Sequence, residues 1–219
     1  MNYGIIFGFE NDKRIRNETH KYILPLLNKP MIEYPIDVLK KANLDSIICV
    51  IDHEKEVFEE LLKDKDLYII QEEKISTANA KLIFKNFNND NGYSDIVPGD
   101  KPLLDTEMIN NLIKSHLKNN NELTVGIYYQ ENSKDFCRFL HNERLDEVHV
   151  IAKKNAINSK NIKSEVDSRI YCINNSFLFE IIENVQKNSD KHESYLSDIV
   201  KILSLKHKVS TYTFDEPFR

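Results

Sequence analysis

Residues 3–37, YGIIFGFENDKRIRNETHKYILPLLNKPMIEYPID, set out a strand, a charged loop and a helix in succession around a cluster of basic residues. The run Gly4-Ile5-Ile6-Phe7-Gly8 is short and apolar, the pattern of a strand buried on both faces. A polar loop over residues 9–19 follows it and carries Lys13, Arg14 and Arg16, with Lys21 just beyond. Ligands of α/β sheets bind outside the carboxyl ends of parallel strands. Four cations at such a place therefore predict a phosphorylated ligand. Asn28-Lys29-Pro30-Met31 predicts a helix start, since Pro is favoured in a first turn. Apolar residues keep helical spacing over residues 31–42, with Pro35 as an expected kink, and residues 44–51 return to strand character. The stretch reads as the opening β-α-β unit of a nucleotide-binding α/β domain.

The same alternation continues outward. Helix 54–62, strand 67–70, a polar loop 71–77, helix 78–87, strand 95–98, helix 105–118 capped by Asp105 or Thr106, and strand 123–129 follow in order. This spacing predicts a Rossmann-like, mostly parallel sheet with helices on both faces. Past Glu131 the pattern shifts to strands at 136–140, 147–152 and 169–173 with few helices between them. That half predicts a smaller mixed sheet, completed by helices 176–186 and 195–203 and a last strand 209–214. A chain of 219 residues fits one domain, divided into halves 1–130 and 131–219. No internal repeat and no hexapeptide series is present, so a hexapeptide acetyltransferase domain is expected to be absent.

The charge balance narrows the partners. With 35 acidic and 30 basic residues the net charge is −5, which does not favour nucleic acid held by bulk electrostatics. Cys49, Cys137 and Cys172 have no metal spacing and lie in apolar or mixed runs, the usage of reduced core thiols in a cytoplasmic protein. There is no signal-peptide pattern and no long apolar span, so no membrane partner is expected.

Three further segments carry chemistry. Gln71-Glu72-Glu73-Lys74-Ile75-Ser76-Thr77 offers an amide that can pair with both a donor and an acceptor on a base, with backbone at Ser76 and Thr77 for the remainder. Read alone, it is a polar loop in which Thr77 caps the next helix. Asp100, in Val97-Pro98-Gly99-Asp100-Lys101-Pro102-Leu103, places a hard carboxylate at a strand end, which suits Mg²⁺ whose other ligands are phosphate oxygens and water. Its plainer reading is a turn aspartate after glycine. Asp167 and Ser168 are short polar side chains able to hydrogen-bond a hydroxyl.

Together these segments resemble the sugar-phosphate nucleotidyltransferases, and within them the uridylyltransferase (pyrophosphorylase) domain of bacterial UDP-N-acetylglucosamine pyrophosphorylase. That family's first strand is followed by a loop of the form L-A-A-G-x-G-T-R-M, a Pro-Lys pair and G-K-P-M-I-x-Y. Without a gap, Arg14 falls on the loop arginine, Lys21 on the lysine of the pair, and Lys29-Pro30-Met31-Ile32-Glu33-Tyr34 on the last segment. Gln71 to Ala80 is similar to Q-x-E-x-L-G-T-G-H-A, the uracil-reading segment, and Gly99-Asp100-Lys101-Pro102-Leu103 to G-D-x-P-L. The resemblance implies catalytic roles for Arg14 and Lys21, nucleotide binding by Gln71, Ser76 and Thr77, and Mg²⁺ on Asp100. In the second half, Arg138 falls in a G-Y-G-R-I segment. Val166-Asp167-Ser168-Arg169 stands in for I-N-T-G, and Glu193 to Asp198 resembles E-x-Y-x-T-D. Arg138, Asp167, Ser168 and Ser197 are thereby the implied sugar-binding residues. The implied substrates are UTP or a UDP-sugar and a sugar 1-phosphate.

The departures fall on glycines. Glu10 and Asp12 occupy the two loop-glycine positions and Ser76 and Ala78 two more; Ile151 replaces a sugar-binding glutamate. Loop glycines let backbone N–H groups approach phosphates. A carboxylate close to a phosphate in a partly screened site costs about 1 to 4 kcal/mol. The family's second metal ligand near V-N-N has no counterpart, leaving Asp215 or Glu216 as substitutes. Two readings follow. One is a working nucleotidyltransferase that passes a uridylyl group from UTP to a sugar 1-phosphate, such as N-acetylglucosamine 1-phosphate, and releases pyrophosphate. The other is a catalytically inactive relative, a pseudoenzyme that binds a nucleotide, a protein partner or a second copy of itself as a regulatory or scaffold subunit. A cytidylyltransferase acting on a non-sugar alcohol phosphate would share the opening loop but not the Gln71 segment.

Overall fold

The structure, a computed structural model, describes residues 1–8, 21–51, 55–63, 68–71, 91–130, 138–142, 147–151, 164–178 and 208–215. Strand β1 (Tyr3–Gly8) is followed by a 3-10 turn at Lys21–Ile23, a hairpin of β2 (Pro25–Leu26) and β3 (Lys29–Pro30), and helix α1 (Glu33–Lys41). Then come β4 (Ser46–Ile51), α2 (Lys55–Leu62), β5 (Tyr68–Gln71), β6 (Tyr93–Pro98), α3 (Thr106–Lys118) and β7 (Leu123–Gln130). Four strands close the described chain: β8 (Arg138–Asn142), β9 (Glu147–Ile151), β10 (Ser164–Asn174) and β11 (Val209–Thr213). The expected helices at 78–87 and 195–203, and most of that at 176–186, lie outside the described residues.

The strand order is β11-β7-β10-β6-β1-β4-β5, with the β8–β9 hairpin attached to β10. The pairs β6–β1, β1–β4, β4–β5 and β11–β7 are parallel. Only β10 runs against its neighbours in this row, pairing antiparallel with both β6 and β7. The mostly parallel sheet expected from the alternating pattern is therefore present, and the β8–β9 hairpin of the second half joins it through Val166 opposite Arg138.

Strands of this sheet are apolar on both sides because both sides are covered. Ile6, Cys49, Val97 and Cys172 face a core shared with Ile36 and Leu39 of α1, Phe58 of α2, and Ile109 and Leu112 of α3. Ile5, Ile48, Ile96 and Tyr171, pointing the other way, are buried as well. Helix α3 begins where expected, with Asp105 as its N-cap: the carboxylate accepts the Met108 N–H at 2.8 Å.

The opening helix differs from its sequence expectation. Residues 28–31 do not start it; Lys29 and Pro30 are instead the second arm of a hairpin in which Pro25 lies opposite Pro30. Leu27 and Asn28 at its tip both adopt left-handed φ values, 49° and 63°, the geometry of tight hairpin turns that follow strand twist. The Tyr34 hydroxyl donates to the Leu26 carbonyl at 2.6 Å and ties the hairpin to α1. Pro35 then falls in the first turn of α1, where its missing N–H is one that no helix carbonyl would have bonded. It causes no kink for that reason.

Candidate active site

After β5 the chain returns past β1 to β6, so the direction of winding reverses between β1 and β6. At such a point the loops after two adjacent parallel strands part and leave a crevice at their carboxyl ends. Gly99 extends the β1–β6 pairing by donating its N–H to the Phe7 carbonyl at 2.9 Å. A Cβ on Gly99 would stand 2.9 Å from the Tyr22 ring, so glycine lets Tyr22 close over the strand end. Tyr22 is held from the other side by its carbonyl, which accepts the Ile32 N–H at 3.0 Å. Asp100 and Lys21 are thus fixed by the residues next to them.

Lys21 Nζ stands 3.0 Å from Asp100 Oδ2, and its side chain is 8 % exposed. On the opposite side of Asp100, Arg169 Nη2 lies 3.6 Å from the same oxygen. Burial alone would raise the Asp100 carboxyl. The charges of Arg169 and Lys21, the Lys21 hydrogen bond and the charge of Lys101 outweigh it and hold the group below its ordinary range. The other oxygen, Oδ1, is buried and has no hydrogen-bond partner among the described residues.

Arg169 reaches this point because β10 bulges. Its register against β7 shifts between Asp167 and Tyr171, and Arg169 takes a left-handed φ of 64°. Antiparallel pairing of Tyr171 with Ile96 puts the bulge beside the carboxyl end of β6, next to Asp100. Asp167 Oδ1 accepts the Arg169 N–H at 2.7 Å, and Oδ2 accepts the Tyr171 hydroxyl at 2.7 Å. Ser168 is buried; its hydroxyl donates to the Gly126 carbonyl at 2.6 Å and accepts the Ile170 N–H at 3.2 Å. A Cβ on Gly126 would be 2.3 Å from the Phe214 ring and 2.8 Å from Ser168 Oγ, so the bulge packs here only against glycine. Burial pushes the Asp167 carboxyl up, partly offset by the bonds from Tyr171 and the Arg169 backbone.

Of the sequence-predicted residues, Lys21 and Asp100 come together, and Asp167 and Ser168 form the bulge facing them. Gln71 ends β5, opposite Ile51 at the end of β4. Arg138 opens β8, opposite Ile151. Arg14, Ser76, Thr77 and Ser197 lie outside the described residues, as do Glu10, Asp12 and Glu216. Asp215 is exposed at the end of the last described segment. Among the described residues no three His, Cys, Asp or Glu side chains gather as a metal cluster. A metal on Asp100 would find in Oδ1 a carboxylate oxygen with no hydrogen-bond partner among the described residues. Arg169 is the site residue that the sequence reading left without a role. Its signal was a long cation standing where I-N-T-G has glycine, within a segment that needs a positive φ.

A mostly parallel sheet reversing at β1, with a carboxylate flanked by two cations at the carboxyl ends, defines an α/β protein with its ligand crevice at that switch point. The chain belongs to the nucleotidyl transferase family, whose model matches residues 15–217. Among curated proteins it is similar to the bifunctional protein GlmU of Acholeplasma laidlawii, 28 % identical over 212 residues, covering 96 % of this chain and 46 % of that protein. GlmU of Bacillus licheniformis is 26 % identical over 202 residues, covering 92 % of this chain and 44 % of the relative. GlmU of Listeria monocytogenes serotype 4a is 28 % identical over the same length and with the same coverage. The chain spans about half the length of these relatives. No helix among its described residues is long and apolar enough to cross a membrane.

Proposed function

We propose that this protein transfers a uridylyl group from UTP to a sugar 1-phosphate, N-acetylglucosamine 1-phosphate being the first candidate, and releases pyrophosphate. The observation that carries the reading is Asp100: one oxygen faces Lys21 and Arg169, and the other is buried without a hydrogen-bond partner among the described residues, at the crevice between β1 and β6. A sugar-phosphate oxygen attacks the α-phosphorus in line. Because that nucleophile is already an anion, the reaction asks for position and charge neutralisation rather than for a general base. Lys21, with Arg14, neutralises the triphosphate. Gln71, Ser76 and Thr77 select the base, and Arg138, Asp167, Ser168 and Ser197 shape the sugar side. Mg²⁺ on Asp100 would supply further charge neutralisation between the phosphates. The chain acts as a single domain, residues 1–130 serving the nucleotide and 131–219 the sugar. Its buried free thiols Cys49 and Cys172 suit the reducing cytoplasm.

One observation favours the inactive reading: Lys21 and Arg169 already neutralise Asp100, which weakens its pull on a divalent cation. Calorimetric titration of UTP, with and without Mg²⁺, into wild type and Asp100→Ala separates the two. Micromolar binding that needs Mg²⁺ and disappears in Asp100→Ala, followed by pyrophosphate release with a sugar 1-phosphate, is the expected result. No binding at millimolar UTP defeats the transferase reading, and UTP binding without pyrophosphate release across hexose 1-phosphates identifies a binding protein.

A further inference from the structure

We propose that Arg169 is the residue that binds the acceptor's phosphate and so selects acceptors that carry a phosphate monoester. The inference rests on the transferase reading above and gives its acceptor side a cation of this chain's own. The fold spends several groups on presenting Arg169. A residue with a Cβ seldom adopts φ near 64°, and here Asp167 takes its N–H while Ser168 bonds both Gly126 and Ile170 to hold the turn. Both fixing side chains are buried. What they aim is a guanidinium, 32 % exposed and 3.6 Å from Asp100 Oδ2, where the Lys21 side chain is 8 % exposed. Of the two cations at Asp100, Arg169 is the more open.

Position assigns the phosphate. Asp100 follows β6; Lys21 comes from the β1 side of it and Arg169 from the β10 side. Strand β10 belongs to the half read as serving the sugar, so the group meeting Arg169 is the phosphate that arrives with the acceptor. A guanidinium presents its donors in a planar fork that matches two phosphate oxygens, and it keeps its charge at any working pH. The charge of Asp100, 3.6 Å from Nη2, keeps the guanidinium near the carboxyl end of β6.

The test titrates three probes, inorganic phosphate, N-acetylglucosamine 1-phosphate and UTP, into wild type, Arg169→Ala, Arg169→Lys and Arg169→Gly, with melting temperatures measured alongside. The expected result is an affinity for the hexose 1-phosphate about tenfold weaker or more in Arg169→Ala and Arg169→Gly, partly restored in Arg169→Lys, with UTP binding little changed. Glycine tolerates the left-handed turn, so Arg169→Gly should melt no lower than Arg169→Ala, which ties the loss to the guanidinium rather than to a damaged bulge. Equal hexose 1-phosphate affinity in Arg169→Gly and wild type overturns the proposal. Equal losses for UTP and the hexose 1-phosphate overturn the acceptor assignment, and a wild type that binds none of the three probes overturns the site. A wild type that binds inorganic phosphate through Arg169 but not UTP leaves the phosphate site standing while the transferase reading falls.

Discussion

Asp95 lies in the middle of β6 with its side chain directed into the core that also holds Cys172, and neither carboxylate oxygen has a hydrogen-bond partner among the described residues. Burial raises this carboxyl well above its ordinary value of 3.8, and the Cys172 thiol offers only weak compensation. The folded chain therefore holds a proton that the unfolded chain releases more readily. The stability contributed by the neutral group is complete below pH 3.8 and is lost as pH rises toward the folded value. Asp95→Asn removes that loss: the variant should melt higher than wild type at pH 8 and lose this advantage toward pH 4. Parallel melting curves that keep a constant gap across that range would rule the titration out. Asp95 and Asp100 were equally visible in the sequence as aspartates on one strand and its end. What separates them is which neighbours the fold brings: apolar residues and a thiol for the first, Lys21 and Arg169 for the second. Lys21 and Asp100 were legible because each stands in a motif of fixed spacing. Arg169 was not, because its role depends on a bulge that no local pattern announces.

At the scale of elements, alternation of apolar runs gave the order of the strands and helices among the described residues, since a sheet covered on both faces demands apolar strands whatever the loops do. The hairpin before α1 was missed for a specific reason. Lys29-Pro30 reads locally as a helix entrance, but the pairing of Pro25 with Pro30 and the Tyr34 bond to Leu26 are decided by two left-handed residues at the tip, one of them a leucine. Strand β10 was seen only from residue 169 onward, because Asp167 and Ser168 interrupt its apolar alternation to build the bulge. The cap of α3 was readable, and it carries a prediction. Asp105 has an extended backbone, φ −123° and ψ 166°, and satisfies an N–H that the helix itself leaves unbonded. Asp105→Ala should cost about 1 kcal/mol, lowering the melting temperature by about 2–4 °C. Asp105→Asn, which keeps the acceptor without the charge, should recover most of that loss; thermal denaturation followed by circular dichroism decides whether it does.

At the scale of the whole molecule, a polar network among the described residues fastens α3 to strands β7, β10 and β11. His116 of α3 places Nδ1 3.0 Å from Thr124 Oγ1 of β7 and Nε2 2.9 Å from Asn174 Oδ1 of β10. Asn121 donates to Thr124 Oγ1 at 2.9 Å and accepts from the Ser210 hydroxyl of β11 at 3.0 Å, while Asn174 Nδ2 donates to the Asn121 carbonyl at 3.1 Å. One assignment satisfies every group with a neutral ring: Asn174 Oδ1 accepts from Nε2–H, and the Thr124 hydroxyl, which accepts from Asn121, gives its own proton to an unprotonated Nδ1. Burial favours neutral His116 and lowers its pKa from 6.5, with the Asn174 bond opposing only in part. A group depressed in the folded state contributes stability that is present above pH 6.5 and is lost as pH falls through the folded value. This acid-side loss opposes the gain from Asp95, so the wild-type profile alone mixes two titrations of opposite sign. In an Asp95→Asn background the histidine acts without that counterweight, and the melting temperature should fall from pH 7.5 to pH 5. Adding His116→Gln should cost about 1 to 3 kcal/mol at pH 7.5, because at least one buried partner loses its bond. The same change should flatten the descent toward pH 5. If the double variant descends as steeply as Asp95→Asn alone, the acid sensitivity belongs to other groups and His116 serves only as packing between α3, β7 and β10.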